Sequence, residues 1–183
     1  MVALVIVPGW QDSGPLHWQT LWEKTFPGCL RVEQHDWMHP RRADWVRALA
    51  ETVAQADDDV VLAAHSLGCS TVAHWAASLS LSAQRRVKGA LLVAPPDVRG
   101  AAFAADVPAE GFGDEPDWRL PFPAIVVASS NDPYCAIECA QTLSDRWGAS
   151  FVDIGPAGHI NADSRLGQWE AGQRLLQRLI LGD

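Results

Sequence analysis

The sequence lacks the features that mark membrane proteins and nucleic-acid-binding proteins. No apolar run approaches the roughly 20 residues that a membrane-spanning helix requires. Positive charge is scarce, since 14 Lys and Arg stand against 22 Asp and Glu, which gives a formal net charge of −8 at pH 7. Such an acidic chain is poorly suited to bind nucleic acid or an anionic membrane. The composition therefore argues against both classes of partner.

Cysteine is also scarce, and glycine motifs that bind phosphate are missing. The four cysteines, Cys29, Cys69, Cys135 and Cys139, form no C-x-x-C pair, and no histidine stands at metal-ligand spacing from them. Neither G-x-x-x-x-G-K-[ST] nor G-x-G-x-x-G occurs in the chain. The apolar N-terminal segment is too short for a signal peptide. We therefore expect no metal, no nucleotide cofactor and a reduced, cytoplasmic protein.

Apolar runs alternate with longer amphipathic stretches along the whole chain. The runs predict strands near 2–7, 30–34, 59–64, 88–94, 124–129 and 150–154, and the stretches predict helices near 15–26, 43–56, 67–80, 133–147 and 164–180. Unbroken apolar runs are typical of strands buried on both faces. The alternation predicts one domain over residues 1–183, a parallel sheet between two helical layers in an α/β/α sandwich. Ligands of such sheets bind beyond the carboxyl ends of the strands.

The segment Ala64-His65-Ser66-Leu67-Gly68 is the most informative motif. It joins the third predicted strand to a helix, and it is the A-x-S-x-G form of the G-x-S-x-G nucleophile elbow. That turn is sharp and lifts a nucleophilic serine above the sheet. The backbone N–H of Leu67 would then lie at a helix start, where it can donate to an oxyanion. The alternative is that Ser66 is only a helix N-cap.

Two further candidate residues follow later strands. Asp132 comes directly after the fifth predicted strand, and His159 lies in a Gly/Pro-rich loop after the sixth. Taken alone, Asp132 fits a helix N-cap and His159 a surface histidine. Taken with Ser66, they appear in the order nucleophile, acid, base that the elbow motif requires, each at the end of a separate strand. Asp97, after the fourth strand, is the competing acid.

The loop after the first strand, residues 8–14, would supply a second oxyanion donor. A glycine in it allows a tight turn that leaves the backbone N–H of Trp10 facing the nucleophile, with Gln11 as the alternative donor. His17 follows this loop and is a candidate for lining the site. For His65, beside the nucleophile, the sequence indicates only a packing role.

These segments together resemble the retinoblastoma-binding-protein-nine-like small serine hydrolases of the α/β-hydrolase superfamily. The resemblance rests on Pro8-Gly9-Trp10, His17-Trp18, Trp22 and residues 64–69, 94–97, 129–133 and 158–162. It implies a six-stranded, compact α/β-hydrolase fold without a large cap, a triad of Ser66, Asp132 and His159, and no cofactor. A pocket protein has been linked to the family's best-known member through L-x-C-x-E. Residues 137–141 here read I-E-C-A-Q, so we do not expect that partner.

The expected activity is cleavage of small carboxylic esters, thioesters or amides through an acyl-enzyme, with a small-molecule acyl substrate as the partner. The alternatives are a non-catalytic binding protein on the same scaffold and an acyltransferase using the same triad. The interval from Pro95 to Pro123 is too short for a lid domain. Its Phe103, Phe112 and Trp118 are candidates for an apolar acyl pocket, and we expect short acyl chains to be preferred.

Overall fold

The computed structural model describes residues 2–113 and 118–182, and six parallel strands form its centre. The strands are β1 (Val2–Val7), β2 (Leu30–Arg31), β3 (Asp59–His65), β4 (Val87–Val93), β5 (Ala124–Ala128) and β6 (Ser150–Asp153). The helices are α1 (Trp18–Thr25), α2 (Arg42–Ala54), α3 (Leu67–Ala76), α4 (Leu81–Arg85), α5 (Ala101–Asp106), α6 (Ile137–Trp147) and α7 (Glu170–Leu181), with a 3-10 turn at Ala162–Ser164. The sheet order is β2-β1-β3-β4-β5-β6.

Alternate residues of each central strand pack against different helical layers. In β3, Leu62 and Ala64 contact the core beneath α2, α3 and α6, whereas Val61 and Ala63 contact the core beneath α1 and α7. Successive side chains of a strand point to opposite faces, and both faces here are buried. The predicted three-layer sandwich is therefore confirmed, and the continuous apolar runs follow from it.

Some element boundaries differ from those that the sequence pattern predicted. The second strand is limited to Leu30–Arg31, and the short helices α4 and α5 were not predicted. Helix α6 begins at Ile137 rather than near 133, because the Asp132 carboxylate accepts the Tyr134 N–H and holds a turn there. Helix α7 begins at Glu170 rather than near 164, after left-handed backbone at Arg165, Gly167 and Trp169.

The strand order reverses beside β1. From β1 the chain runs to the edge strand β2 and then returns to β3 on the other side of β1. Such a switch point opens a crevice at the carboxyl ends of the two strands. Helix α3 lies very close to the end of β1 there, since a Cβ on Gly68 would be 2.8 Å from the carbonyl oxygen of Pro8. Only glycine fits that position.

A third cluster lies above this end of the sheet. Phe103 of α5 packs there with Trp45, Leu67, Val107 and Phe112. In the described part of the segment between β4 and β5, α5 is the only helix. This agrees with the expected fold, which has no large cap. Across residues 2–113 and 118–182, no helix combines the length and apolar character needed to cross a bilayer.

Candidate active site

Ser66, His159 and Asp132 lie in one hydrogen-bonded line above the carboxyl ends of the strands. The Ser66 Oγ is 2.8 Å from His159 Nε2, and His159 Nδ1 is 2.9 Å from both carboxylate oxygens of Asp132. A carboxylate can only accept, so Nδ1 carries the imidazole proton and Nε2 is left to accept from the serine hydroxyl. The geometry is that of a nucleophile, a base and the acid that orients the base.

The backbone of Ser66 is held in a strained conformation. Its φ of 52° is positive and its ψ is −125°, a combination that costs a non-glycine residue on the order of 1–3 kcal/mol. Ser66 occupies the N-cap position of α3, but its hydroxyl makes no capping hydrogen bond and faces His159 instead. The simple N-cap interpretation therefore does not describe this serine, whereas a nucleophile elbow does.

The structure brings Asp132, and not Asp97, to the imidazole. The Asp132 Oδ1 also accepts the Tyr134 N–H at 2.9 Å, which fixes the carboxylate plane. Asp132 is not a helix N-cap, since that position of α6 belongs to Ala136. The Asp97 carboxylate instead accepts the backbone N–H of Arg99 at 3.2 Å.

The loop after β1 passes directly over the nucleophile. A Cβ on Gly9 would lie 2.9 Å from Ser66 Cβ and 3.3 Å from Leu67 N. The Gln11 N–H donates to the Trp37 carbonyl at 3.2 Å, so that amide is already used. Of the two candidate donors in this loop, Gln11 is therefore the one whose backbone N–H already has a partner. Leu67 is the first residue of α3, a position whose N–H has no partner within the helix.

Buried Gln19 supports this loop, a role that the sequence pattern did not indicate. Its Nε2 donates to the carbonyls of Val7 at 3.1 Å and Ala63 at 2.9 Å, at the ends of β1 and β3. Its Oε1 accepts the Ser13 hydroxyl at 2.6 Å. One side chain from α1 therefore holds the ends of both strands and the loop beside the nucleophile. Its only signal in the sequence was a polar residue next to the apolar Trp18.

Asn131 and Ser129 join the loop of the acid to the loop of the histidine. Asn131 Oδ1 accepts from the Ser129 hydroxyl at 2.9 Å and from the Gly158 N–H at 2.7 Å. The Ser129 hydroxyl oxygen in turn accepts the Ala157 N–H at 2.9 Å. The polar run before Asp132 and the Gly-rich run before the histidine thus fix the distance between the two catalytic candidates.

A cavity of about 330 Å³ opens beside Ser66. The lining has an apolar part, which consists of Trp10, Phe103, Val107 and Tyr134, and a polar part, which includes Gln11, Asp12, His17, His65, Asn161 and Asp163. Of the three predicted pocket aromatics only Phe103 lines it. Phe112 is turned edge-on to Trp45 in the third cluster, and Trp118, 43% exposed, lies outside the lining.

Two of the three imidazoles around the cavity are held neutral. Burial lowers the pKa of His17 to about 3, with Arg31 and His159 adding to the effect. Burial also lowers the pKa of His65 well below its ordinary value, with further contributions from His17 and His159. His17 Nδ1 accepts the Gln19 N–H and caps α1. His17 therefore lines the site as an uncharged group, and the imidazole that contacts Ser66 is that of His159.

The charge around the cavity is negative. Asp12 and Asp163 are part of its described lining, which includes no Lys or Arg. Arg31 pairs with Asp12 at 2.6 Å from outside that lining. Nowhere in the described ranges do three or more His, Cys, Asp or Glu side chains form a group that could hold a metal ion.

Comparisons with known proteins identify the family of the chain. The family model described as serine hydrolase matches residues 4–178. The chain belongs to the serine hydrolase family. A search of curated proteins gives no match.

Solved structures share the fold of this serine hydrolase over nearly its full length. A YdeN-like hydrolase from Pectobacterium atrosepticum is 30% identical, with a TM-score of 0.83, and the match covers 99% of this chain and 92% of that one. The ydeN gene product of Bacillus subtilis is 17% identical, with a TM-score of 0.79 and coverage of 98% and 99%. Est1E from Butyrivibrio proteoclasticus, solved with ferulic acid bound, is 15% identical, with a TM-score of 0.73 and coverage of 99% and 90%. The predicted compact α/β-hydrolase fold is thereby confirmed.

Proposed function

We propose that this serine hydrolase cleaves small carboxylic esters through an acyl-enzyme on Ser66. The observation that carries the proposal is the 2.8 Å contact between Ser66 Oγ and His159 Nε2, with Asp132 on the other side of the imidazole. Esterases are among the solved structures of the same fold, including Est1E and the carboxylesterase CesB of Bacillus subtilis. Thioesters and amides share the acyl chemistry and are further members of the proposed substrate class.

The geometry supports a two-step reaction. Ser66 Oγ attacks the acyl carbonyl while its proton passes to His159 Nε2, and Asp132 stabilises the imidazolium that forms. The tetrahedral oxyanion accepts from the backbone N–H groups of Leu67 and Trp10. His159 then protonates the leaving alkoxide, which departs as the alcohol. Water repeats the sequence on the acyl-enzyme, releases the carboxylic acid and restores the serine hydroxyl.

The cavity supports a small and uncharged acyl group. Its volume of about 330 Å³ is at the low end for a ligand pocket. The apolar wall of Phe103, Val107 and Tyr134 suits a short aliphatic or a single aromatic acyl group. The carboxylate of Asp163 disfavours an anionic substrate, whereas that of Asp12 is paired with Arg31.

We also propose membership of the retinoblastoma-binding-protein-nine-like branch and a cytoplasmic location. The first rests on the motifs at 131–133 and 158–161, and a phylogeny that placed the chain in another branch would remove it. The second is supported by the low cysteine content, since the four cysteines of the chain form no C-x-x-C pair. Cell fractionation with an antibody to the chain tests it, and recovery in an extracytoplasmic fraction would contradict it.

Fluorophosphonate labelling tests the proposed activity. The probe forms a covalent bond with an activated serine, so the protein should be labelled at Ser66, as mapped by peptide mass spectrometry. Ser66→Ala should abolish labelling and lower the kcat for p-nitrophenyl acetate by on the order of 10⁶-fold. Ser70→Ala is the matched control, because Ser70 is a buried serine of the same helix whose hydroxyl has no hydrogen-bond partner in the described structure. Equal labelling of Ser66→Ala and the wild type would refute the proposal.

A further inference from the structure

Two consecutive backbone carbonyls of the histidine loop are held by buried side chains. The carbonyl of His159 accepts from His65 Nε2 at 2.8 Å, and the carbonyl of Ile160 accepts from Trp18 Nε1 at 2.9 Å. His65 and Trp18 are both buried, and their rings lie edge to face at 6.3 Å. The two donors come from different elements, β3 and α1, so the loop is fixed from two sides.

The loop needs this support because its backbone is strained. Ile160 has a φ of 49°, which is left-handed. A β-branched residue in that region is a genuine outlier, and the conformation costs on the order of 1–3 kcal/mol. Strain of this kind persists only when surrounding contacts hold it. The Ile160 side chain is fully buried, which anchors the residue but does not by itself fix the peptide that carries the His159 carbonyl.

The chemistry of His65 suits a permanent donor. A carbonyl oxygen can only accept, so His65 Nε2 must carry the proton and the ring must be in the Nε2–H form. Burial keeps this ring uncharged, as its lowered pKa indicates. His17 lies edge to face on the same ring at 4.6 Å, and the ring of His159 lies at 5.0 Å on its other side. His65 therefore has one tautomer and one orientation.

We propose that His65 is a positioning residue for His159: its Nε2–H holds the His159 carbonyl and so aims the imidazole at Ser66, with Trp18 as the companion donor on the next carbonyl. This inference rests on the proposed function of Ser66 and His159. His65 directly precedes the nucleophile, and its partner is 94 residues away in sequence. A single side chain thus couples the nucleophile's strand to the base's loop.

Substitutions of His65 that keep either its ring volume or its N–H donor distinguish a positioning role from a packing role. His65→Phe keeps the ring volume and loses the donor. His65→Gln keeps an N–H close to the position of Nε2. His74→Phe is the matched control, because His74 is a half-buried histidine that contacts Phe112 and lies outside the cavity lining. Each variant is assayed for kcat and KM with p-nitrophenyl acetate, for the rate of fluorophosphonate labelling, and for its melting temperature.

We expect His65→Phe to lower kcat and the labelling rate together by roughly 10- to 100-fold, since a small misplacement of a reacting group has this effect. KM should change by less than about threefold, because phenylalanine keeps the ring volume that His65 contributes to the cavity lining. His65→Gln should recover most of the loss, Trp18→Phe should lower kcat in the same direction, and His74→Phe should retain wild-type kcat. A role in packing alone would lower the melting temperature without this selective loss of kcat.

The proposal is overturned if folded His65→Phe keeps kcat within about threefold of wild type, or if folded His65→Gln loses as much as His65→Phe. Should His65→Phe fail to fold, folded His65→Gln decides, with near-wild-type kcat supporting the proposal and a tenfold or greater loss contradicting it. Wild-type labelling at Ser66 is measured in the same series. Its absence would count against the proposed hydrolase function, not against the positioning role alone.

Discussion

Asp132→Asn is the substitution whose effect follows most directly from the hydrogen bonds. In the wild type, Asp132 Oδ1 accepts from the Tyr134 N–H and from His159 Nδ1, whereas Oδ2 accepts from His159 Nδ1 at 2.9 Å. The new amide has one acceptor oxygen and one donor nitrogen. The oxygen should remain on the Tyr134 N–H, because two donors would otherwise face each other there.

The amide nitrogen then takes the place of Oδ2, close to His159 Nδ1. That nitrogen can only donate, and this favours the tautomer in which Nδ1 accepts over the one in which Nδ1 shares Oδ1 with the Tyr134 N–H. The imidazole proton moves to Nε2, which faces Ser66 Oγ and can no longer act as a base. In the best-studied serine protease triad the same change lowers kcat by roughly 10⁴, which corresponds to about 5 kcal/mol of transition-state stabilisation. We expect a loss of that order here.

Steady-state hydrolysis of p-nitrophenyl acetate measures this effect, with kcat and KM determined separately. KM should change little, since Asp132 is not part of the cavity lining. Asp97→Asn is the matched control, because that carboxylate binds the Arg99 backbone rather than the imidazole. If Asp132→Asn kept kcat within about tenfold of wild type and Asp97→Asn lost it, the assignment of the acid would be wrong.

Three further results are expected. Gly68→Ala should strongly destabilise the protein in urea unfolding, because a Cβ there would collide with the backbone at the end of β1. Gly14→Ala is the control and should be tolerated, since a Cβ there has no neighbour within 4 Å. A stable Gly68→Ala variant would contradict the close approach of α3 to β1. Stability should fall as pH drops below about 6.5, because neutral His17 and His65 bind protons only after unfolding, at up to ~1.4 kcal/mol per pH unit for each group. His17→Asn keeps a capping acceptor for α1 and should reduce the pH dependence of the unfolding free energy by about half. Urea titrations between pH 7.5 and 5 measure this dependence. If the variant and the wild type showed the same dependence, the lowered pKa of His17 would be wrong. Among p-nitrophenyl esters, kcat/KM of the wild type should be highest for short acyl chains, and Phe103→Ala should extend the preference to longer chains. A steady rise of the wild-type kcat/KM through long chains would mean that the cavity does not hold the acyl group.

The architecture was predictable because its signals are local. Unbroken apolar runs identified all six strands in order, and the small residues around Ser66 identified the turn that carries it. Boundaries were less well predicted where side chains compete with the helix, as at Asp132, whose carboxylate holds a turn before α6 begins.

The short helix α5 shows the limit of periodicity. Its six residues, Ala101–Asp106, are too few for a helical pattern to stand out from the surrounding Ala-rich sequence. Its Phe103 nevertheless forms part of the cavity wall. Phe112, only nine positions further along the same segment, turns into the third cluster instead, and no local pattern distinguishes the two aromatics.

The sequence by itself determined the layers, the succession of six strands along the chain, and the three candidate residues Ser66, Asp132 and His159. The spatial order of the strands, with its reversal beside β1, came from the tertiary structure. Tertiary structure alone decided which carboxylate reaches the imidazole, which amide of the first loop is already used by the Trp37 carbonyl, and that His65 donates to the histidine loop. The physical reason is the distance along the chain over which each interaction acts. Periodicity and turn chemistry act over a few residues. A hydrogen bond between groups 94 positions apart exists only once the whole sheet has brought the ends of its strands together.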